Sequence, residues 1–181
     1  MSHGVIGFDA YEGLFTKAQY QAGKGRTPGS VVSVKKGSDA KEFVAVKLAS
    51  GNWSNGCLVR IDNAGVVGTA TTVGTTASAG GVANIGQRLG LLVFGTVSAI
   101  QTMAGTAFGY AQVFGQCGAQ VVSATVAGMA LGIGGSAGIL SGQVVQASAT
   151  GAIGGIQCVA SASTQAYSTV FLNYPEFIGG S

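Results

Sequence analysis

Charge is what this sequence has least of. Only 8% of its residues are charged, and none of Lys, Arg, Asp, Glu or His occurs between Leu89 and Pro175. The last basic residue is Arg88, and the single later charge is Glu176. Soluble domains ordinarily carry interspersed charges of both signs, and exposed sheet edges are ordinarily blunted with Lys, Pro or an inward charge. A run without these devices requires a cover, either lipid or protein. Histidine is nearly absent too, with only His3, which leaves little for acid–base catalysis or metal binding. The carboxylates Asp9, Glu12, Asp39, Glu42, Asp62 and Glu176 stand beside no nucleophile motif of the G-x-S-x-G kind, so an enzyme is not expected. Cys57, Cys117 and Cys158 are odd in number and widely spaced, which excludes a paired disulfide framework and C-x-x-C chemistry and leaves buried thiols in a reducing compartment. With 2 Pro residues and no G-X-Y period, the 32 Gly residues do not make a collagen.

What is present is apolar and small. Hydrophobic residues make up 47% of the 181 residues, which argues against disorder and for a buried core. All nine basic residues behind the formal charge of +3 lie before residue 89, so it describes one part of the chain rather than a nucleic-acid face. The start, MSHGVIGFDAYEG, has neither a basic n-region nor an apolar h-region, so synthesis and folding in a cytoplasm are expected.

Residues 1–30 read as an N-terminal arm. Asp9 and Glu12 have capping-box spacing, and Tyr11, Leu14, Phe15 and Ala18 recur at helical spacing up to Gly23, which predicts a short helix. A helix of that length needs a surface for its aromatic stripe, either its own domain or a neighbouring subunit. Phe8, Tyr11, Leu14 and Phe15 are the candidate apolar anchors, and Lys24 and Arg26 the candidate polar contacts of a protein interface. The segment GKGRTPGS is a loop and not a P-loop, because Ala18 and Gly25 hold the places of the required Gly and Ser/Thr.

From residue 31 to 181 the period is two, and a single β domain is expected. SVVSVKK, EFVAVKLAS and CLVRID are strands separated by turns at Gly37-Ser38-Asp39, Ser50-Gly51-Asn52 and Asp62-Asn63-Ala64-Gly65. Phe43, Ala45 and Lys47 share one face of the second, with Val44, Val46 and Leu48 on the other. Asn52-Trp53-Ser54 reads as part of a turn. A strand over 66–73 and a loop over 75–82 follow. RLGLLVFGTVSAI, FGYAQVFGQ, AQVVSATV, GILSGQVVQA, GIQCVASA and YSTVFLN are further strands between Gly or Ser/Thr turns. The second of these places Phe108, Tyr110, Gln112 and Phe114 on one face. This spacing predicts an all-β protein, a barrel or a jelly-roll-like sandwich.

Two motifs are discarded on physical grounds. Gly132-Ile133-Gly134-Gly135-Ser136-Ala137 matches G-x-G-x-x-A, but no acidic residue lies between Asp62 and Glu176 to hold a ribose, so it reads as a β-turn. The uncharged stretch from Val121 to Leu140 is long enough for a membrane helix, but five of its residues are Gly and no basic residue follows. Neither a membrane nor a nucleic acid is expected as a partner, and no cofactor or metal.

The pieces GCLVRIDNAG, NIGQRLGLLVFGTVSA, AFGYAQVFGQCGAQVV, VAGMALGIGGSAGIL, AIGGIQCVASAS and TVFLNYP, in this order, resemble the small β-rich cement or decoration proteins of tailed-bacteriophage capsids. The resemblance covers the region from about Gly56 to Pro175 and leaves the arm outside it. It implies a virion protein on the outer surface of an assembled head, bridging major capsid subunits at local two-fold or three-fold positions. A homo-oligomer, dimer or trimer, goes with it. A tail, fibre or adhesin β-domain is the alternative, and the absence of a fixed repeat favours the capsid.

Overall fold

The computed structural model describes residues 13–36, 38–61, 66–69, 88–94, 100–121, 125–133, 144–146, 152–161 and 166–177. Phe8, Tyr11, the Asp9/Glu12 pair, the turn at 62–65, the loop expected over 75–82 and most of the G-x-G-x-x-A match lie outside the described residues.

The chain is all-β. Its elements are β1 (Phe15–Thr16), α1 (Lys17–Gln21), β2 (Val31–Lys36), β3 (Asp39–Leu48), β4 (Gly51–Ser54), β5 (Leu58–Ile61), β6 (Val66–Thr69), β7 (Arg88–Val93), β8 (Ile100–Met103), β9 (Ala107–Val121), β10 (Ala130–Ile133), β11 (Val144–Gln146), β12 (Ala152–Cys158) and β13 (Ala166–Phe177). All strands except β4 and β8 join one eleven-stranded sheet, and β4 and β8 form a separate two-stranded ribbon. Among the described residues the large sheet does not form one closed barrel; it is gathered along β9, which pairs with β1, β3, β7, β11 and β13. The pairings return to β9 through β7–β5–β6–β3 and through β13–β12–β10–β11. Pairing is antiparallel apart from β3–β6 and β9–β11.

Three local expectations are corrected. The helix does not carry Leu14 or Phe15; among the described residues it spans Lys17–Gln21. Its signal is the sequence Thr16-Lys17-Ala18-Gln19. The Thr16 hydroxyl accepts the Gln19 N–H at 3.2 Å, and the Gln19 side-chain oxygen accepts the Thr16 N–H at 2.8 Å. This reciprocal box satisfies two of the donors that a helix start leaves open. Gly51–Ser54, read as a turn, is strand β4, because Ile100–Met103 lies opposite it in register, with Trp53 facing Gln101. The strands expected over 108–116 and from Ala119 onward are joined through Cys117 and Gly118 as one strand, β9. Gly115, at φ 90°, stays in register with Leu172, and the β3–β9 register shifts just before it, between Gln112 and Phe114.

Burial follows the two-residue period, with an addition. In β3, Phe43 to Val46 are all buried, so both faces are covered. Val44, Val46 and Leu48 pack with Trp53, Val59, Leu92, Phe94 and Val113. Phe43 and Ala45 pack on the other side with Phe15, Val93, Phe108 and Tyr110. Lys47, at the far end of that second face, stays exposed. A third cluster joins Leu58, Leu89 and Leu91 to Leu131, Ile153, Ile156, Val170 and Leu172 from the later strands. Each fully buried side chain of this size contributes about 1.5–3 kcal/mol.

The turn at Asn55-Gly56 stitches the early strands to the later ones. The Phe94 N–H donates to Asn55 Oδ1 at 2.9 Å, and Gln120 Nε2 donates to the Asn55 carbonyl at 3.1 Å, which also accepts the Tyr167 hydroxyl. Gly56 N–H donates to the Leu92 carbonyl at 2.7 Å, and the Gln120 N–H to the Gly56 carbonyl at 3.1 Å. Gly56 has φ 73°, and a Cβ there would stand 2.8 Å from Tyr167 Cε1 and 2.9 Å from the Gly118 carbonyl oxygen. Only glycine fits without displacement.

Candidate functional site

The residues expected at an interface are placed as follows. Leu14 is half-buried against the cluster around Val46 and Trp53, and its N–H donates to Gln101 Oε1 at 2.6 Å. Phe15 is 3% exposed, pairs in register with Phe108, and meets the Tyr110 ring edge-on at 6.1 Å and 79°. Lys24 Nζ stands 5.3 Å from the centre of the Phe15 ring, a cation–π distance. Tyr20 stacks on Phe108 at 4.1 Å. Leu14 and Phe15 therefore pack within their own chain, while Arg26 is exposed on the loop beyond Lys24. The structure brings Phe15 and Lys24 together, and Phe8 and Tyr11 lie outside the described residues.

The exposed apolar side chains lie elsewhere. Ile100 (61% exposed), Val126 (57%), Val159 (40%), Phe171 (37%) and Tyr174 (46%) all belong to the uncharged run, and Val31 is the counterpart outside it. Backbone bonds from Gly128 to the Cys158 carbonyl (2.8 Å) and from Cys158 to the Met129 carbonyl (2.9 Å) hold the segments of Val126 and Val159 side by side.

Phe171 and Tyr174 form part of an aromatic cluster that sequence reasoning missed. The Phe114 ring meets Phe171 edge-on at 5.7 Å and 73°, and lies at 30° to Tyr174 at 5.3 Å. The Tyr174 hydroxyl donates to Glu42 Oε2 at 2.9 Å, and the Ser33 hydroxyl donates to Glu42 Oε1 at 3.2 Å. The Glu42 bond pushes the Tyr174 phenol above its ordinary range, because ionisation would place two negative charges together. The residues come from β3, β9 and β13, which meet through the pairs Glu42–Phe114 and Phe114–Asn173. The available signal was the Asn-Tyr-Pro end of β13, since a proline inside a strand marks a bulge.

The groups with chemical potential elsewhere are quiet. Burial pushes the Cys57 and Cys117 thiols up to about 12, so both are neutral, unreactive side chains at pH 7. Cys158 is buried, with its sulfur 3.0 Å from the Ala160 carbonyl. Glu42 is bonded to Ser33 and Tyr174, and Glu176 faces Arg88 across β13 and β7. Asp39 pairs with Lys41 at 3.6 Å on the surface, an interaction worth about 0–1 kcal/mol. Among the described residues no group of three or more His, Cys, Asp or Glu could hold a metal ion. Among them, too, no helix is long and apolar enough to cross a membrane. What the surface of the uncharged run offers is apolar and aromatic contact.

Compared with known proteins, the chain matches no protein-family model and no curated protein.

Proposed function

We propose that this chain is a structural virion protein, a cement or decoration protein that binds the outside of a tailed-phage head and bridges major capsid subunits. The observation that carries the reading is the uncharged run from Leu89 to Pro175, which keeps Ile100, Val126 and Val159 in the open. A surface that bears exposed apolar groups and no charge is expected to be covered by another protein. The order of strand and glycine-turn pieces that resembles the decoration proteins supports the same reading.

Such a protein stabilises a shell by mass action. A ligand that binds the assembled lattice and not the separated subunits lowers the free energy of the lattice. A symmetric shell repeats the contact, so each copy needs only a modest interface. Exposed Arg26 and the segment before residue 13 supply a second point of attachment on a neighbouring subunit. Major capsid protein is the partner, and the decorating unit is a homo-oligomer, dimer or trimer, on the head surface. No catalytic step, cofactor or nucleic-acid contact is assigned.

A tail, fibre or adhesin β-domain is the second reading, and the exposed, well-held ring of Tyr174 favours it. Sedimentation separates the two. Purified protein mixed with heads that lack it is expected to pellet with them at a fixed ratio. Protein that stays in the supernatant at saturating concentration contradicts the capsid reading.

A further inference from the structure

Tyr174 is exposed and yet fixed. It is 46% exposed, but three constraints hold its ring. Its backbone sits at φ 47°, and among the described residues it is the non-glycine with positive φ. Its hydroxyl is bonded to Glu42, and Phe114 lies against it at 5.3 Å and 30°. Phe114 backs one face of the ring, so the exposure belongs to the opposite face and the edges. Left-handed backbone is unfavourable for an aromatic residue, and such strain gathers where a side chain must be displayed in one orientation.

The ground beneath the ring is built with the same care. Gln112 is fully buried, and its Nε2 donates to the carbonyls of Phe114 and Gln116 at 3.0 Å each, which holds the β9 bulge shut. Its Oε1 has no hydrogen-bond partner among the described residues. Gly115 (φ 90°) and Gly155 (φ 77°) flank the site from β9 and β12. A Cβ on Gly115 would collide with the Ala40 carbonyl oxygen, and one on Gly155 with that of Asn173. The β3–β9 and β12–β13 registers both shift here. Paired bulges of this kind re-aim side chains.

The rim of the ring decides what stacks on it. Glu42 lies at its hydroxyl end, and Arg88 stands opposite Glu176, two residues along β13 from the ring. Arg88 faces Glu176, and Asp39 faces Lys41, so both signs are interspersed. A nucleic acid would need a one-sided positive field. An organic cation would meet Arg88. A broad apolar partner would bury the exposed Asn173 and Gln116 amides without partners. A sugar ring has the matching pattern: a face of polarised C–H bonds for the negative face of an aromatic ring, and hydroxyls for carboxylate, guanidinium and amide.

We propose that Tyr174 and Phe171, flanked by Glu42 and Arg88, form a binding site for a neutral pyranose glycan. The site stands independently of the capsid reading, because a surface glycan can be met by a head, a tail or a free domain. One site binds weakly, and repetition of copies on a particle raises the avidity.

The test is saturation-transfer NMR on the full chain with cellotetraose, maltotetraose, mannotetraose and chitotetraose as probes. At least one is expected to receive saturation at its ring C–H protons. That signal is expected to vanish in Tyr174→Ala, to fall several-fold in Phe171→Ser and Glu42→Gln, and to persist in Val126→Ser. If Tyr174→Ala does not fold, Phe171→Ser and Glu42→Gln decide, since both alter partly exposed side chains. Transfer to none of the four probes overturns the proposal, and so does transfer that Phe171→Ser and Glu42→Gln leave unchanged. A preference for an oligothymidylate over all four sugars overturns the neutral-glycan assignment. Failure to pellet with heads would leave this result untouched, so the two readings fail separately.

Discussion

Two surfaces of this protein meet water in different ways. At β2, an edge of the large sheet, Val31 is exposed, but Lys35 and Lys36 lie on the same strand, and Lys41 faces it from β3. That edge is guarded in the usual manner, since charge makes unwanted strand pairing costly. In the uncharged run, β8 of the separate ribbon and the segments around Val126 and Val159 expose apolar side chains without a charged neighbour in sequence. The cores beneath are equally well packed, with Val44 and Val46 at 1% and Val170 and Leu172 at 0% exposure. The difference therefore lies in what each surface is for. One half is finished by its own charges, and the other is complete inside but open outside.

The sharpest way to break this comparison is to attack what the halves share. Leu91 is fully buried, lies between Leu58 and Gln112 in register, and belongs to the cluster that joins early and late strands. Leu91→Ala is expected to destabilise the protein by about 2–5 kcal/mol, through lost transfer energy and the cavity left behind. Urea unfolding should show a single transition at lower midpoint; a loss under 1 kcal/mol would mean the shared core is loose. Next comes the seam itself. Gly56→Ala forces a Cβ against Tyr167 and the Gly118 carbonyl at a left-handed position, and is expected to cost about 1–3 kcal/mol by the same measurement.

A third test uses pH. Folding holds the Cys57 and Cys117 thiols near 12, against an ordinary value of 9.0 in the unfolded chain. Their raised values favour the native state fully below pH 9, and this contribution is lost as pH rises from 9 towards 12. Thermal melts should be flat with respect to these groups through neutral pH and fall above it, and Cys57→Ala should shallow that fall. An unchanged slope in the variant would contradict the burial account. The smallest effect on stability is expected from Ile100→Lys. Its side chain is 61% exposed, so the change should stay within about 0.5 kcal/mol. It is expected nevertheless to weaken retention on heads strongly, whereas Val31→Lys on the guarded edge should not.

Much of the fold was legible because strand faces repeat every two residues. The alternation in β3 gave both of its faces, and the Gly and Ser/Thr turns gave most strand positions. What failed was non-local. Gly51-Asn52-Trp53-Ser54 is short and polar and becomes a strand only because Ile100–Met103 lies opposite it. Cys117-Gly118 reads as a break between two strands, and only the register of β9 against β13 shows that the strand continues through it. The helix was misplaced because the aromatic spacing outweighed the Thr16–Gln19 box, although that signal was present. The aromatic site left one trace, the proline inside β13. Glu42 and Phe114 are distant in sequence from Phe171 and Tyr174, and the left-handed Tyr174 stands directly before Pro175, where extended backbone is the ordinary expectation.

The central claim is that the uncharged half is the half that a partner covers. Amide hydrogen exchange on the protein, free and bound to heads, tests it most directly. Protection gained on binding is predicted at residues 100–106, 126–129 and 158–161, with β2 unchanged. Protection concentrated on β2, or none anywhere in a bound sample, would contradict the account.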